Sequence, residues 1–333
     1  MTRLRRVTDR TKGWRRRRCG RGFSYLDDAG SALADDQVRR CRALAIPPAW
    51  TDVWICPDPN GHLQAVGTDS DGRVQYLYHP DWRRRQDEAK FDRILGLAER
   101  LPPARRRVVR DLKATGLPRA KALAAAFRLL DRGLFRVGSE SYKQRYGSLG
   151  LASLGPDQVH LSGATMTFVF PAKSGELAEI EVTDRLAADV VRTLARRRAQ
   201  RTELLAFKDG RRWHNLTADD INDYLATVIG PDFTAKDFRT WHATVQAGFL
   251  LALADPAGTD RRRRTQVLQV IDEVAERLGN TRSIARSAYI HPRLIDLFHE
   301  GAVLPPAVVA GLRADAAPPY PLRVERAVVD LLG

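Results

Sequence analysis

Two periodicities divide this chain of 333 residues. Between Gly22 and His79, apolar and aromatic residues fall in short runs with turn signals between them. Beyond Pro102-Pro103 they recur every three or four residues over long stretches. A strand alternates its faces at every residue, whereas a helix returns to one face after three or four. Strands followed by helices predict an α+β chain. The expected organisation is a small, mainly antiparallel β domain over residues 1–90, then a larger, mainly α-helical domain over 91–333 carrying a three-stranded sheet.

The β-like runs are Phe23–Leu26, Val53–Cys56, Leu63–Val66 and Val74–Tyr78, with turns at Asp58-Pro59-Asn60-Gly61 and Asp69-Ser70-Asp71-Gly72 and one helix around Asp35–Leu44. The first 22 residues are dominated by arginine, including Arg15–Arg18. Such a run is either a solvated tail or a basic arm laid on phosphates. Helical spacing covers 86–101, 104–115, 118–131, 184–199, 217–229, 235–254, 261–278, 283–290 and 292–299, with Pro102-Pro103 as a break. Met166, Phe168 and Phe170 alternate before the turn Lys173-Ser174-Gly175, and Ile180 and Val182 resume beyond it. With Val159–Leu161 they make the three strands. Two short peripheral helices are expected after Gly301.

Lys and Arg total 55 against 40 acidic residues, a formal net charge of +15. That excess suits a polyanion, and nucleic acid is the commonest. An anionic membrane surface would also suit it, but no apolar run approaches the roughly 20 residues that span a bilayer. There is no lipidation signal and no apolar segment after the basic N-terminus, so neither anchoring nor secretion is expected. Cys19, Cys41 and Cys56 form no CxxC pair, which fits a reducing cytosol and supports neither a zinc site nor a disulfide framework. No Gly-rich phosphate loop, dinucleotide fingerprint or metal-ligand cluster occurs. The chemistry is therefore expected to need no ATP, nucleotide cofactor or metal.

Gln75, Tyr76, Tyr78 and His79 end the β-like region, followed by Trp82 and Arg83-Arg84-Arg85. Aromatics interleaved with bases suit a nucleic-acid face; ordinary cross-strand aromatic pairing suits the pattern equally.

The stretch Arg277–Ile290 reads as a helix end, a corner and a second helix carrying one tyrosine. Val267, Leu268, Val270, Ile271, Val274 and Leu278 share one face of the first helix. Gly279 and Asn280 tolerate the left-handed conformation that ends helices, and Thr281 or Ser283 can cap the next. That helix should place Ile284, Ala285 and Ala288 against the core, with Tyr289 at the edge of the same face. Four other features accompany it. Arg136 lies between apolar residues in Phe135-Arg136-Val137-Gly138, Lys173 is in the hairpin turn, and Asn280 is at the corner. Arg239, in Lys236-Asp237-Phe238-Arg239-Thr240, flanks a core stripe of Phe238, Trp241, Val245, Phe249 and Leu253.

In chain order this set resembles the type IB DNA topoisomerases, most closely the compact poxvirus and bacterial form, over nearly the whole chain. The resemblance implies that Tyr289 is the nucleophile, that Arg136, Arg239 and Asn280 cradle the phosphate, and that Lys173 is the general acid. It also implies a DNA-clamping N-terminal domain using Gln75, Tyr76, Tyr78, Arg83 and Arg84. The expected protein is a monomer that closes around double-stranded DNA in the bacterial cytoplasm, at the nucleoid. One departure is Asn280, where poxvirus and eukaryotic enzymes usually carry histidine; an amide donates a hydrogen bond but carries no charge. Tyrosine recombinases resemble the same constellation, but they typically have histidine three residues before the second arginine, where this chain has Lys236. A non-enzymatic basic DNA-binding protein is the third possibility.

Overall fold

The computed structural model describes residues 3–138, 143–144, 147–172, 175–197, 202–254 and 256–333. The chain forms two compact units, Met1–Lys90 and Phe91–Gly333.

The first unit is built on a five-stranded sheet. Its strands are β1 (Trp14–Cys19), β2 (Gly22–Leu26), β3 (Thr51–Ile55), β4 (Leu63–Thr68) and β5 (Val74–Tyr78), in the order β2-β1-β3-β4-β5, every pair antiparallel. Helix α1 (Asp35–Ala43) lies between β2 and β3 in the chain and supplies Cys41 to a core with Trp14, Tyr25, Val53, Ile55 and Ala65. The arginine run is therefore β1, a strand inside the sheet. Its inward Arg16 is accommodated because the guanidinium donates to the carbonyls of Ile46, Pro47 and Trp50 and lies 4.2 Å from the Phe23 ring centroid.

The chain leaves this sheet through α2 (Pro80–Leu112), which runs on through Pro102 and Pro103, where the sequence predicted a break. Each proline removes a backbone donor and crowds the preceding turn, at about 3 kcal/mol in a helix interior. The offset is burial. Within the second unit Phe91, Ile94, Leu97, Leu101, Ala104, Val108 and Leu112 keep helical spacing across the prolines, all in the core.

The second unit continues with α3 (Arg119–Gly133). The three-stranded sheet follows: β6 (Val159–Ser162), β7 (Thr165–Pro171) and β8 (Leu177–Thr183), antiparallel in that order. After α4 (Arg185–Ala195) comes a second hairpin, β9 (Ala206–Asp209) and β10 (Arg212–Asn215), which the sequence did not predict. The remainder is α5 (Ala218–Val228), α6 (Ala235–Leu253), α7 (Asp260–Leu278), α8 (Arg282–Ala288), α9 (Pro292–His299), α10 (Pro306–Val309) and α11 (Leu322–Leu332). The α+β class and its division into a β-rich start and a helical remainder with a three-stranded sheet are as expected.

Helix α6 is the axis of this unit. Sixteen of its nineteen residues are buried, among them the polar side chains Asp237, Arg239, Thr240, His242, Thr244 and Gln246. His242 Nε2 lies 3.0 Å from Asp131 Oδ1 of α3. Asp131 also accepts two bonds from Arg105 of α2, at 2.8 and 2.9 Å. Arg105 in turn donates to both oxygens of Glu325 on α11, at 2.8 and 2.9 Å. Burial pushes the Asp131 carboxyl up, but Arg105 and His242 more than offset this and hold it below the usual carboxylate range. The C-terminal helix is thus locked into a buried four-residue network, where the sequence suggested only peripheral packing. Removing one member of such a pair leaves an uncompensated charge. Glu325→Ala should therefore lower unfolding free energy by about 3–5 kcal/mol, read from urea denaturation.

Candidate active site

Four segments meet at the N-terminal end of α6. Thr234 and Asp237 begin the helix: the Asp237 carboxylate accepts the Thr234 N–H at 2.8 Å and is held from outside by Arg93 at 2.9 Å. One turn on, Arg239 is 4% exposed. The sequence allowed it to sit on a solvated basic face; it is in the core. Its Nη1 donates to the Leu134 carbonyl at 2.5 Å and its Nη2 to the Leu278 carbonyl at 2.7 Å. These carbonyls belong to the C-terminal ends of α3 and α7, where unpaired acceptors and the negative end of the helix dipole collect.

Each end is shaped to present its carbonyl. After α3 it is Leu134, not the preceding glycine, that takes the left-handed conformation (φ +54°). Gly133 is needed for space instead: a Cβ there would lie 2.4 Å from the Phe135 ring. After α7, Gly279 is left-handed at φ +57°, with Gly279 N–H bonded to Glu276 O and Asn280 N–H to Ala275 O. This is the Schellman closure, and it fixes Asn280 as the corner residue.

Arg136 approaches from the segment after α3. Its Nη2 donates to Asn280 Oδ1 at 2.7 Å and to Gly279 O at 3.3 Å. Its backbone is pinned by a second strand of chain: Leu151 N–H bonds Arg136 O and Ala152 N–H bonds Val137 O. The two segments approach closely because Gly138 and Gly150 face each other; a Cβ on Gly150 would meet Gly138 Cα at 2.5 Å. Leu149, beside them, bonds the Pro171 carbonyl at the end of β7. Lys173, which the sequence put in a hairpin turn, lies outside the described residues.

Tyr289 follows the short α8. Thr281 caps that helix, accepting from Ile284 N–H, and Ala285 is buried beneath it. Ile284, expected against the core, is 44% exposed, because seven residues of helix present only one narrow inner face. The Tyr289 ring lies 5.2 Å from the Arg239 guanidinium carbon. Burial pushes the phenol up; Arg239, then Arg136 and Lys236, pull it down further, so it ends below the ordinary phenol range. Arg239 itself is lowered to about 10, by burial first and then by Arg136, with Tyr289 opposing the shift.

Together these residues line a bay of about 500 Å³ whose walls include Arg136, Lys236, Arg239 and Tyr289. Two donor atoms beside it, Arg239 Nε and Asn280 Nδ2, are buried with no hydrogen-bond partner among the described residues. Buried donors are normally satisfied; Arg239 is on the bay's wall, while Asn280 stands behind Arg136 and is not on the lining.

The sequence marked Lys236 only as the residue standing where recombinases have histidine. The structure brings it into the bay, because it precedes Arg239 by three positions on one helix face. Thr244 escaped the sequence reading. It is fully buried on α6; its Oγ1 donates to the Tyr289 carbonyl at 3.1 Å and accepts from His291 N–H at 3.2 Å. It therefore fixes the backbone on both sides of Ile290.

In the first unit, Tyr76 and Tyr78 project from β5 at 50% and 36% exposure, with ring centroids 6.1 Å apart. Gln75 turns the other way and donates to Asp69 at 2.7 Å. Arg83 and Arg84 are exposed on the first turns of α2, and Arg84 also pairs with Asp81 at 3.1 Å. Among the described residues there is no group of three His, Cys, Asp or Glu placed to hold a metal, and no helix long and apolar enough to cross a membrane.

Residues 79–299 match the family model for the catalytic core of eukaryotic DNA topoisomerase I. The chain belongs to the type IB DNA topoisomerase family. Residues 22–69 match the model for the N-terminal domain of bacterial DNA topoisomerase IB. The DNA topoisomerase 1B of Acanthamoeba polyphaga mimivirus is 28% identical over 282 residues, covering 82% of this chain and 83% of the viral protein. The family match takes in Arg136, Lys236, Arg239, Asn280 and Tyr289 and stops before α11.

Exchanging the Thr244 hydroxyl for a methyl removes the donor to the buried Tyr289 carbonyl and the acceptor used by the partly buried His291 N–H. Thr244→Val should cost about 1–3 kcal/mol of stability, whereas Thr244→Ser should retain most of it; chemical denaturation of both variants measures the difference.

Proposed function

We propose that this enzyme relaxes supercoiled DNA by cutting and resealing one strand through Tyr289, without ATP or a metal ion. The observation carrying this proposal is the buried Arg239 guanidinium set against the Tyr289 ring, with Arg136 and Asn280 beside it. A scissile phosphate in the bay would meet two arginines, an amide donor and a phenol together. Arginine suits the task because its planar fork pairs with two phosphate oxygens and stays charged.

In the forward step the Tyr289 Oη–phosphorus bond forms, the phosphorus–O5′ bond breaks, and the phenolic proton leaves to solvent. The product is a 3′-phosphotyrosyl link and a 5′-hydroxyl. The departing alkoxide needs a proton, and Lys173 is the residue proposed to give it. The covalent link conserves the bond energy, so the 5′-hydroxyl can attack in return and restore both the strand and the phenol. Arg239, Arg136 and Lys236 favour ionisation of the nucleophile and neutralise charge that builds up on the phosphate. The first unit is proposed as the clamp on duplex DNA, with Tyr76, Tyr78, Arg83 and Arg84 on its exposed face and Gln75 at its margin. The chain is proposed to act as a monomer in the bacterial cytoplasm.

A tyrosine recombinase would use similar chemistry, but Lys236 stands where such enzymes typically have histidine. The discriminating measurement is relaxation of a plasmid with no specific site, in EDTA and without ATP. Complete relaxation is expected, together with a protein–DNA adduct trapped by denaturant. Tyr289→Phe should abolish both, and a 3′-linked adduct in that variant would overturn the assignment.

Asn280 has a separate signature. Its amide does not titrate, so the cleavage rate should show no inflection near pH 6–7. Asn280→His introduces a group with an ordinary value near 6.5, whose favourable charge is present below its pKa and lost as pH rises through it. Single-turnover cleavage by that variant should therefore fall across about pH 6–8 relative to wild type; parallel profiles would show that residue 280 does not touch the phosphate.

A further inference from the structure

The other end of α3 borders a second recess, of about 740 Å³, that shares no lining residue with the tyrosine bay. Lys121 lines it from the first turn of α3, and Arg136 follows the last turn of the same helix. Fifteen residues at about 1.5 Å rise put the two places roughly 20 Å apart. The recess is bounded by the end of α2, the Gly116-Leu117 loop, α4 and the β9–β10 hairpin that the sequence reading missed.

Its charge is one-sided. Six of its lining residues are Lys or Arg, and the one acid, Asp189, is paired with Arg192 at 2.7 Å. Three of the six are committed internally. Arg192 holds Asp189, Lys121 donates to the Ala114 carbonyl at 2.7 Å, and the buried Arg197 donates to the Leu204 carbonyl at 2.7 Å. The other three are not. Lys113, Arg196 and Lys208 are exposed, and their side chains have no hydrogen bond or ion pair among the described residues. Like charges around a hollow repel, and nothing in this fold requires them to stand there.

The floor is of another kind. Val190 is buried, Leu117 is half-buried, and Trp213 on β10 is half-buried with the Arg197 guanidinium 5.6 Å from its ring centroid. Arg197 thus braces the indole from one side. Free cations around a held aromatic ring match the elements that bind unpaired nucleic acid: a positive groove for the backbone and a π-face on which a base stacks. A duplex fits less well, since its bases are stacked inside and it offers a convex ridge of phosphates that leaves an apolar floor uncovered. A bare phosphate would need no ring.

We propose that this recess is a second nucleic-acid site that takes an unpaired strand, with a base on Trp213 and phosphates on Lys113, Arg196 and Lys208. Its use rests on the proposed action on DNA: a supercoil that is underwound exposes unpaired segments, and such a site would hold one while the tyrosine bay works on a duplex. Binding itself needs no cleavage, so the two proposals can fail independently.

The test measures anisotropy of a fluorescent thymidine decamer and of a duplex of equal length, on the full chain. Wild type is compared with Lys113→Ala/Arg196→Ala/Lys208→Ala, with Trp213→Phe and with Trp213→Leu. The triple variant removes exposed charges only, so its fold is not at stake; melting curves monitor the Trp213 variants. Decamer affinity should fall about tenfold or more in the triple variant, and the slope of log K against log salt should shrink by about 2. It should fall about fivefold or more in Trp213→Leu, with Trp213→Phe close to wild type. Duplex affinity and adduct formation through Tyr289 should be unchanged in all three. Equal loss of duplex and decamer binding would make the recess an extension of the duplex surface and overturn the proposal. So would an unaltered decamer affinity in the triple variant, or a folded Trp213→Leu protein that binds the decamer normally.

Discussion

A single buried cation organises the catalytic unit. Taking Arg239 out of water costs several kcal/mol unless the charge is compensated, and among the described residues no carboxylate pairs with it. Compensation comes from main-chain carbonyls at the C-terminal ends of α3 and α7, each carrying the partial negative charge of its helix. The arginine therefore acts as a fastener. It can be buried only if both helix ends converge on it, and their convergence brings the residues that follow them, Arg136 after α3 and Asn280 after α7, to the same place. Compensation by dipoles rather than by an acid has a second consequence. A carboxylate beside Arg239 would cancel its field, whereas carbonyls leave most of its charge available to Tyr289 and to an anion in the bay.

Helix α6 transmits that arrangement because it is buried nearly all round and cannot shift by itself. Lys236, Arg239 and Thr244 occupy successive levels along it, facing the bay mouth, the tyrosine ring and the tyrosine backbone. Between Arg239 and Thr244 the same helix carries His242 into the Asp131–Arg105–Glu325 network. The chain's last helix, outside the matched family segment, is thus three hydrogen-bonded contacts from the helix that holds the site.

What the sequence made legible follows from what kind of constraint wrote it. The division into a β-rich start and a helical remainder was visible because apolar periodicity reports burial directly. β1 was not: its inward Arg16 is satisfied by three carbonyls of the distant segment between α1 and β3, and no local pattern shows such partners. The β9–β10 hairpin has a readable Asp209-Gly210 turn, but it is flanked by Lys208, Arg211 and Arg212, which mask the strands. At Pro102-Pro103 local propensity was overruled by tertiary burial. The members of the site were legible only as a spaced set resembling a family; singly, each had an ordinary structural use. Thr244 shows the limit, since a buried threonine looks the same in a sequence whether or not its hydroxyl braces the backbone of another helix's end.

Asn280 exchanges charge for orientation. Arg136, Lys236 and Arg239 already place three cations around one bay, and burial together with Arg136 already lowers Arg239 toward about 10. An imidazolium at the corner would add a fourth like charge and lower it further. An amide avoids that repulsion, and its direction is set by its neighbour: with Oδ1 accepting from Arg136, Nδ2 is left as the free donor. Only this orientation of the amide gives the arginine an acceptor. The corner thus presents a donor of fixed direction whose strength does not change with pH, and the positive field over the tyrosine is left to the two arginines and the lysine.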